Sequence, residues 1–237
     1  MHCRAGAGGL KYRPFCLKVE ARCAAGCFQS GGHNNMNRQR WLDGTLYSPD
    51  FEQDSCGFGL IAQMDNQPSH ALVQNAIGSL ACMTHRGAIA ADGLSGDGCG
   101  LLFKKPEAFL EAVAQQADIT LAPLYAAGLV FLSREAGVAN SSRTVLKTEL
   151  EAQGLIVAGF RVVPTDASVC GESALASLPH IEQVFVNAPA ALDADSFERK
   201  LYIARRRAEK TLEATDPVFY LPTLSCRVIS YKGLVMP

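Results

Sequence analysis

The sequence lacks any apolar run that approaches the roughly 20 residues needed to span a membrane. The first 40 residues also lack the continuous apolar core of a secretory signal peptide. These absences predict a cytoplasmic protein with no membrane contact. The nine cysteines are then expected to be free thiols, because a reducing compartment disfavours disulfides.

Charged residues are also few. They make up 19% of the 237 residues, whereas 48% are apolar, which is ordinary for a globular chain of one domain or two small ones. Residues 1–40 have seven Lys or Arg and one acidic residue, but residues 56–237 have fifteen and eighteen. The larger segment is mildly acidic, so we expect no nucleic-acid surface on it.

The cysteines lack the spacing of a metal site. Cys23 and Cys27 have the spacing of half a site, but no His or Cys pair follows them at the spacing of a zinc finger. We therefore predict no metal site in this chain.

The stretch Asp54–Ala62 is the part of the sequence that suggests chemistry. A polar segment ends at Cys56, and two glycines lead into an apolar segment. We therefore expect Cys56–Ala62 to be a buried strand with the thiol at its N-terminal end. Residues 48–55 are acidic and turn-prone, which is typical either of an exposed cleavage point or of an ordinary surface loop. After cleavage, Cys56 would have a thiol and a free α-amine, and one residue would be nucleophile and base together.

Two more motifs follow Cys56-Gly57-Phe58-Gly59. They are His85-Arg86-Gly87-Ala88 and Asp92-Gly93-Leu94-Ser95-Gly96-Asp97-Gly98-Cys99-Gly100. In this order and spacing, the three motifs resemble the class II glutamine amidotransferase domain of glutamate synthase large subunits. The resemblance extends from about Tyr47 to the last residue and includes Tyr220–Arg227 and Tyr231–Leu234.

The resemblance implies an α+β fold, the four-layer αββα sandwich of the N-terminal nucleophile hydrolases, incomplete at the C-terminus. Periodicity alone is equally compatible with a doubly wound parallel sheet, because buried strands alternate with amphipathic helices. Residues 56–237 are expected to be the first part of the amidotransferase domain, and residues 36–55 a removable pro-segment. Residues 1–35 are expected to be an unstructured basic extension, or a mis-called start if translation begins at Met36.

The resemblance also implies roles for individual residues. Cys56 attacks the carboxamide of L-glutamine and its α-amine moves the proton, while Arg86 binds the substrate α-carboxylate. His85 is expected to support its loop. The oxyanion donors of the family come from an Asn-Gly dipeptide, which is absent from these 237 residues. We therefore expect this polypeptide to be a fragment with little glutaminase activity alone.

For the full-length enzyme, the resemblance implies that ammonia reaches a synthase domain with FMN and an iron–sulfur cluster. There it aminates 2-oxoglutarate reductively to glutamate, with electrons from NADPH through a small subunit. No cofactor site is expected within this chain.

Two alternatives stay open. One is a class II amidotransferase of amino-sugar, purine or asparagine synthesis, although those usually begin at Met-Cys-Gly and lack the loop from Asp92 to Gly100. The other is a non-catalytic module that keeps the fold.

Outside the motifs, periodicity predicts several elements. Ser69 is expected to cap a helix that ends near Gly87 and packs one apolar face on a sheet. Asp195 is expected to cap a longer helix, with Glu198 three residues on. The triplet Arg205–Arg207 on that helix is predicted to lie on a solvated face. The remaining predicted elements are a helix at 106–116, a strand at 125–132, a helix at 138–153, a strand at 155–163, a short helix at 172–178 and strands at 181–187 and between 218 and 231.

Overall fold

The computed structural model describes residues 57–83, 89 and 91–235. This part of the chain contains helices and antiparallel strands, with one short 3-10 turn at Ala167–Val169. In chain order the elements are α1 (His70–Ala81), β1 (Ser95–Lys104), α2 (Glu107–Gln116), β2 (Tyr125–Leu132), α3 (Ala136–Ala152), β3 (Ile156–Val162), α4 (Glu172–Ser177), β4 (His180–Asn187), α5 (Ala194–Leu212), β5 (Leu224–Ser225) and β6 (Val228–Val235).

The strands form two sheets in the described residues. One has four strands in the order β3-β4-β2-β5, and the other pairs β1 with β6. Every pairing between these strands is antiparallel. The doubly wound parallel sheet that periodicity also allowed is therefore wrong. Single-sequence periodicity reports which residues are buried, but it does not report strand direction.

The two central strands of the four-stranded sheet, β2 and β4, are largely buried, whereas the edge strand β3 is partly exposed. Alternate residues of a strand point to opposite sides, so β2 and β4 contribute to a core on each face. On one face, Ala126 and Val130 of β2 belong to a core that includes Leu146 of α3 and Phe197 and Leu201 of α5. One stripe of α5 at helical spacing is buried and consists of Phe197, Leu201, Ala204, Ala208 and Leu212. Helices α3 and α5 therefore cover this face.

The opposite face of the sheet packs on α2 and on the two-stranded sheet. Tyr125 and Ala127 of β2 share a second core with Leu110 of α2 and Ile229 of β6. The buried Lys105 ammonium lies 3.6 Å above the Tyr125 ring centroid and donates a hydrogen bond to the Tyr125 carbonyl oxygen at 3.0 Å. Burial lowers the pKa of Lys105. These contacts join the end of β1 to the start of β2.

The N-terminus of α5 differs from the prediction. Asp193, in extended backbone conformation, is the N-cap, and its carboxylate accepts a hydrogen bond from the Ser196 amide at 2.9 Å. Asp195 lies inside the first turn and pairs with Arg227 instead. Arg206 and Arg207 are exposed, as expected for a solvated helix face, but the Arg205 side chain is only 23% exposed. Arg205 and Arg206 both contact Glu209 in the following turn, and the Glu209 side chain is 17% exposed.

The beginning of the described chain also differs from the prediction. Gly57–Ala62 is neither a strand nor buried, and Phe58 and Leu60 are 87% and 86% exposed. Helix α1 starts after Ser69 as predicted, but it ends at Ala81 and has no fully buried residue. The apolar composition of this segment predicts a buried strand, but a strand forms only where a neighbouring strand pairs with its backbone hydrogen-bonding groups. Among the described residues, no strand pairs with this segment.

None of the described helices combines the length and apolar character needed to cross a bilayer. The cytoplasmic location stays a prediction from the sequence.

Gly128 of β2 provides a test of the close contact between β2 and β5. A Cβ atom at this position would lie 2.3 Å from the Thr223 carbonyl oxygen and 3.1 Å from the Leu224 Cα. We expect Gly128→Ala to lower the free energy of unfolding by about 1–3 kcal/mol, because backbone atoms on both strands must move apart. Urea unfolding followed by circular dichroism measures this change.

Gly137→Ala in α3 is the matched control. The nearest atom to its added Cβ is the Glu135 Oε1 at 3.8 Å, an ordinary contact. This variant should keep its stability or gain up to about 1 kcal/mol from the higher helix propensity of Ala. Equal stability of the two variants would contradict the contact at Gly128.

Candidate active site around the Asp92 turn

The residues that the sequence assigns to chemistry lie outside the described part of the chain. Cys56 and Arg86 are among them, and His85, which is expected to support its loop, lies outside the described residues as well. Their nearest described neighbours along the chain are the segment after Cys56 and the turn after Arg86.

A tight turn connects the segment after Arg86 to β1. Ile89 forms an isolated antiparallel bridge with Gly96, at the beginning of β1. Between them, the Asp92 Oδ1 accepts hydrogen bonds from the backbone amides of Leu94 at 3.0 Å and Ser95 at 2.8 Å. Asp carboxylates commonly close turns in this way. We refer to Ile89–Gly96 as the Asp92 turn.

The Asp92 turn is attached to helix α4, about 80 residues further along the chain. The Asp92 Oδ2 accepts from the Ser95 hydroxyl at 2.6 Å and from the backbone amide of Ser173 at 3.2 Å. The Ser95 Oγ in turn accepts from the Ala174 amide at 3.1 Å. Ser95 is 3% exposed. Two side chains of the turn thus satisfy two amide donors in the first turn of α4, which have no partner within the helix.

Gly171, just before α4, makes this attachment possible. A Cβ atom at Gly171 would lie 2.4 Å from the Asp92 Oδ2 and 2.6 Å from the Ser95 Oγ. Its backbone conformation, with φ −75° and ψ 169°, is available to any residue. Glycine is therefore required here for space alone.

These hydrogen bonds also affect ionisation. Contacts from the Ser95 hydroxyl and from the Ser95 and Leu94 amides stabilise the carboxylate and hold the pKa of Asp92 well below its usual range. Asp92 is ionised at neutral pH and can serve only as an acceptor. Sequence reasoning gave Asp92 no role, although an Asp followed by Gly and then by Ser at the third position is a typical turn sequence.

Two of the described cysteines, Cys99 and Cys226, are poorly suited to nucleophilic attack because the pKa of each thiol is raised. Burial and the Glu198 carboxylate raise the pKa of Cys226 to about 12, and burial raises that of Cys99. Since the thiolate is the nucleophile, neither residue is activated at neutral pH.

Cys226 instead belongs to a structural turn. The Glu198 Oε1 accepts from the Ser225 hydroxyl at 2.8 Å and the Cys226 amide at 2.6 Å, and the Ser225 Oγ accepts from the Arg227 amide at 2.9 Å. The sequence predicts that Glu198 completes the cap of α5 together with Asp195. In the structure, Glu198 instead stabilises the turn between β5 and β6. The stretch Tyr220–Arg227 therefore has a structural role in the described fold.

No group of three or more His, Cys, Asp or Glu residues in the described segments could hold a metal ion. Two cavities in the described residues have volumes of about 320 and 260 Å³. The first is lined by α2 and residues 118–121 and the second by residues in or next to α3 and α5, and neither includes a residue of the Asp92 turn.

Comparison with known proteins identifies the family. The family model for class II glutamine amidotransferases matches residues 56–237, which is most of the chain and begins at Cys56. The chain belongs to the class II glutamine amidotransferases.

Among curated relatives of this amidotransferase, the glutamate synthase (NADPH) large chain of Bacillus subtilis is 36% identical over 193 residues, covering 81% of this chain and 13% of the relative. The ferredoxin-dependent glutamate synthase 2 of Synechocystis sp. is 39% identical over 189 residues, covering 78% and 12%. The glutamate synthase (NADPH) large chain of Azospirillum brasilense is 37% identical over 197 residues, covering 80% and 13%. The amidotransferase chain thus spans about an eighth of the length of these relatives.

The ionisation of Asp92 gives a prediction for stability. Because the folded-state pKa lies below the unfolded value of about 3.9, the hydrogen bonds of the carboxylate stabilise the fold above that pH and are lost as the pH falls below it. The difference in unfolding free energy between the wild type and Asp92→Asn should therefore be constant near neutrality. It should shrink below about pH 4. Urea unfolding across this pH range measures it.

Thr148→Ala is the control for the pH series. The Thr148 hydroxyl donates to the Thr144 carbonyl oxygen at 2.9 Å on the exposed side of α3, and neither atom titrates. Its effect on stability should not depend on pH. An Asp92→Asn difference that is equally independent of pH would contradict the ionised turn.

Proposed function

We propose that this chain is the glutaminase part of a glutamate synthase, releasing ammonia from L-glutamine through Cys56. The observation that carries the proposal is the position of Cys56. It is the first residue matched by the class II amidotransferase family, and the family's His-Arg-Gly and glycine-rich motifs follow it in order.

The chemistry needs one residue with two functional groups. The thiolate of Cys56 attacks the γ-carboxamide carbon, and the α-amine of the same residue transfers a proton to the departing ammonia. Water then hydrolyses the γ-glutamyl thioester and releases glutamate. An α-amine with a pKa near 8 can both accept and donate this proton close to neutral pH.

Arg86 is proposed to bind the α-carboxylate of glutamine. A guanidinium meets a carboxylate through two parallel hydrogen bonds, which fix the orientation of the substrate as well as its charge. His85 beside it supports the loop in this proposal, because the α-amine of Cys56 already provides the base.

This mechanism requires that residues 36–55 are removed before turnover, so that Cys56 has a free α-amine. Residues 1–35 are then a basic extension or a mis-called start, and residues 56–237 the catalytic segment.

For the fold, we propose the αββα order of the N-terminal nucleophile hydrolases. Supporting this order, α3 and α5 cover one face of the four-stranded sheet, and the two-stranded sheet packs towards the other face.

In the full-length protein, the proposal directs the ammonia to reductive amination of 2-oxoglutarate in a domain with FMN and an iron–sulfur cluster. NADPH would supply electrons through a small subunit. The names of the relatives include both NADPH and ferredoxin forms, and the proposed donor is the one in the name of the Bacillus subtilis protein.

Selective labelling tests the proposed function. A diazoketone analogue of L-glutamine should alkylate Cys56 in the native, full-length protein and leave Cys82 and Cys99 unmodified. The expected selectivity follows from substrate-like binding next to one activated thiolate. Peptide mass spectrometry measures the site of modification, and excess L-glutamine should protect it.

Iodoacetamide, which has no amino-acid group, is the control reagent. Glutamine should protect Cys56 from both reagents but should not protect Cys82. Equal labelling of all three cysteines, without protection by glutamine, would show a non-catalytic module and refute the proposal.

The 237-residue polypeptide itself is expected to release little ammonia from glutamine. No Asn-Gly dipeptide occurs in it to supply the oxyanion donors of the family. The loss of one such donor reduces the rate by about a hundredfold or more. A coupled ammonia assay that compares this polypeptide with the full-length protein measures the difference, and comparable rates would contradict the expectation.

A further inference from the structure

We propose that helix α5 is a docking surface for a second copy of this protein, and that its outward face binds an acidic groove beside α2 of that copy. The contact is head-to-tail, because it joins two different surfaces of the same chain. The inference goes beyond the proposed glutaminase function and does not depend on it.

The outward face of α5 is basic and partly apolar. With 3.6 residues per turn, the side of the helix opposite its buried stripe presents one set of side chains, all of them exposed. We refer to this set as the basic ridge, and it consists of Arg199, Tyr202, Ile203, Arg206, Arg207 and Lys210. It has four cationic side chains and no carboxylate. The ridge is therefore a continuous positive surface.

Contacts within one copy neutralise little of the basic ridge. Arg206 pairs with Glu209 at its edge, but Arg207 and Lys210 form no ion pair with any described residue. Tyr202 and Ile203 are 58% and 39% exposed in the middle of these cations. Arginine together with exposed aromatic side chains is typical of protein–protein interfaces, which favours a protein partner.

A groove beside α2 has the complementary chemistry. Its volume is about 320 Å³, and we refer to it as the α2 groove, lined by Glu111, Gln115, Asp118, Ile119, Thr120 and Leu121. Neither Glu111 nor Asp118 forms an ion pair with a described residue. Ile119 and Leu121 add apolar surface beside the two carboxylates. A Lys or Arg side chain, with an apolar stem and a cationic head, matches both features.

The positions of the two surfaces exclude a contact within one copy. Helix α5 belongs to the core on one face of the four-stranded sheet, and α2 belongs to the core on the opposite face. The sheet therefore separates the basic ridge from the α2 groove of the same molecule. Two surfaces of opposite charge, each without ion-pair partners at its centre, can meet only between copies.

The contact depends on charge and on apolar burial together. Exposed ion pairs contribute little individually, so Tyr202 and Ile203 are expected to pack against the apolar wall of the α2 groove. The ionic part of the contact is screened by salt. Association should therefore weaken as the ionic strength rises.

Sedimentation velocity of the native, full-length protein tests the contact. The wild type should form oligomers that dissociate as salt is raised from about 0.05 to 0.5 M. Lys210→Glu places a carboxylate opposite Glu111 and Asp118, so its dissociation constant should rise about tenfold or more. A wild type that sediments as single copies at low salt would overturn the proposal, and would mean that something else covers the ridge.

Lys147→Glu is the matched control. Lys147 lies on α3, which covers the same face of the sheet as α5, and its side chain is 56% exposed. The variant changes the net charge by the same amount as Lys210→Glu but lies outside the basic ridge. Its dissociation constant should stay within about twofold of the wild type. Equal weakening by both variants would reduce the effect to net charge and overturn the proposal.

Exchanging the charges tests the pairing of the two surfaces. Glu111→Lys should weaken association as Lys210→Glu does, and it provides the same test from the α2 groove if Lys210→Glu does not fold. The double variant has opposite charges on the two surfaces again, so it should regain much of the lost affinity. A double variant as weak as the two effects added together would contradict the pairing.

Cross-linking identifies which copy provides the carboxylate. Native protein with ¹⁴N is mixed with protein fully labelled with ¹⁵N and treated with a carbodiimide, which joins an amine to a carboxylate with loss of water. Peptides that join Lys210 to Glu111 or Asp118 should include pairs with one light and one heavy partner. Cross-links from Lys210 to carboxylates of its own copy alone would overturn the proposal. Neither readout uses glutaminase activity, so failure here leaves the proposed function intact.

Discussion

The pairing of β2 with β4 is the interaction on which the rest of the described structure depends. Eight residue pairs from Tyr125↔Asn187 to Leu132↔His180 align the two strands without a register shift. A slip by one residue would turn every side chain to the opposite face. Both faces are buried, one against α3 and α5 and the other against α2 and β6, so the register is fixed from both sides.

The Asp92 turn is much less buried than this core. The Asp92 turn is joined to α4 by hydrogen bonds from side chains, and the apolar cores do not include it. Such a contact is directional and can define a position with few atoms, whereas apolar burial defines position through many neighbours. The core and the Asp92 turn are thus stabilised by different kinds of interaction.

Much of the fold could be predicted from the sequence because its signals are local and repeated. Strand Tyr125–Leu132 was predicted with the observed bounds, and the buried stripe of α5 follows from its helical spacing. Gly57–Ala62 was predicted wrongly, because burial requires a partner that composition does not reveal. Asp193, and not the predicted Asp195, caps α5 because its backbone is extended, which the sequence alone does not determine.

The candidate site shows the same limit more clearly. The motif order identified Cys56 and Arg86 as candidates, and the family match begins at the first of them. The attachment of Asp92 to α4 could not be predicted, because its partner Ser173 lies 81 residues away and contributes only a backbone amide, which every non-proline residue has. Contacts of this type have no signature in a single sequence.

The central claim is that Cys56 becomes the first residue of the mature protein, with its own α-amine as the base. The most direct test is mass spectrometry of the amino-terminal peptide of the native protein in an active preparation. The predicted result is a peptide that begins at Cys56 with an unblocked amine. An active protein that retains Ser55 in peptide linkage to Cys56 would contradict the claim.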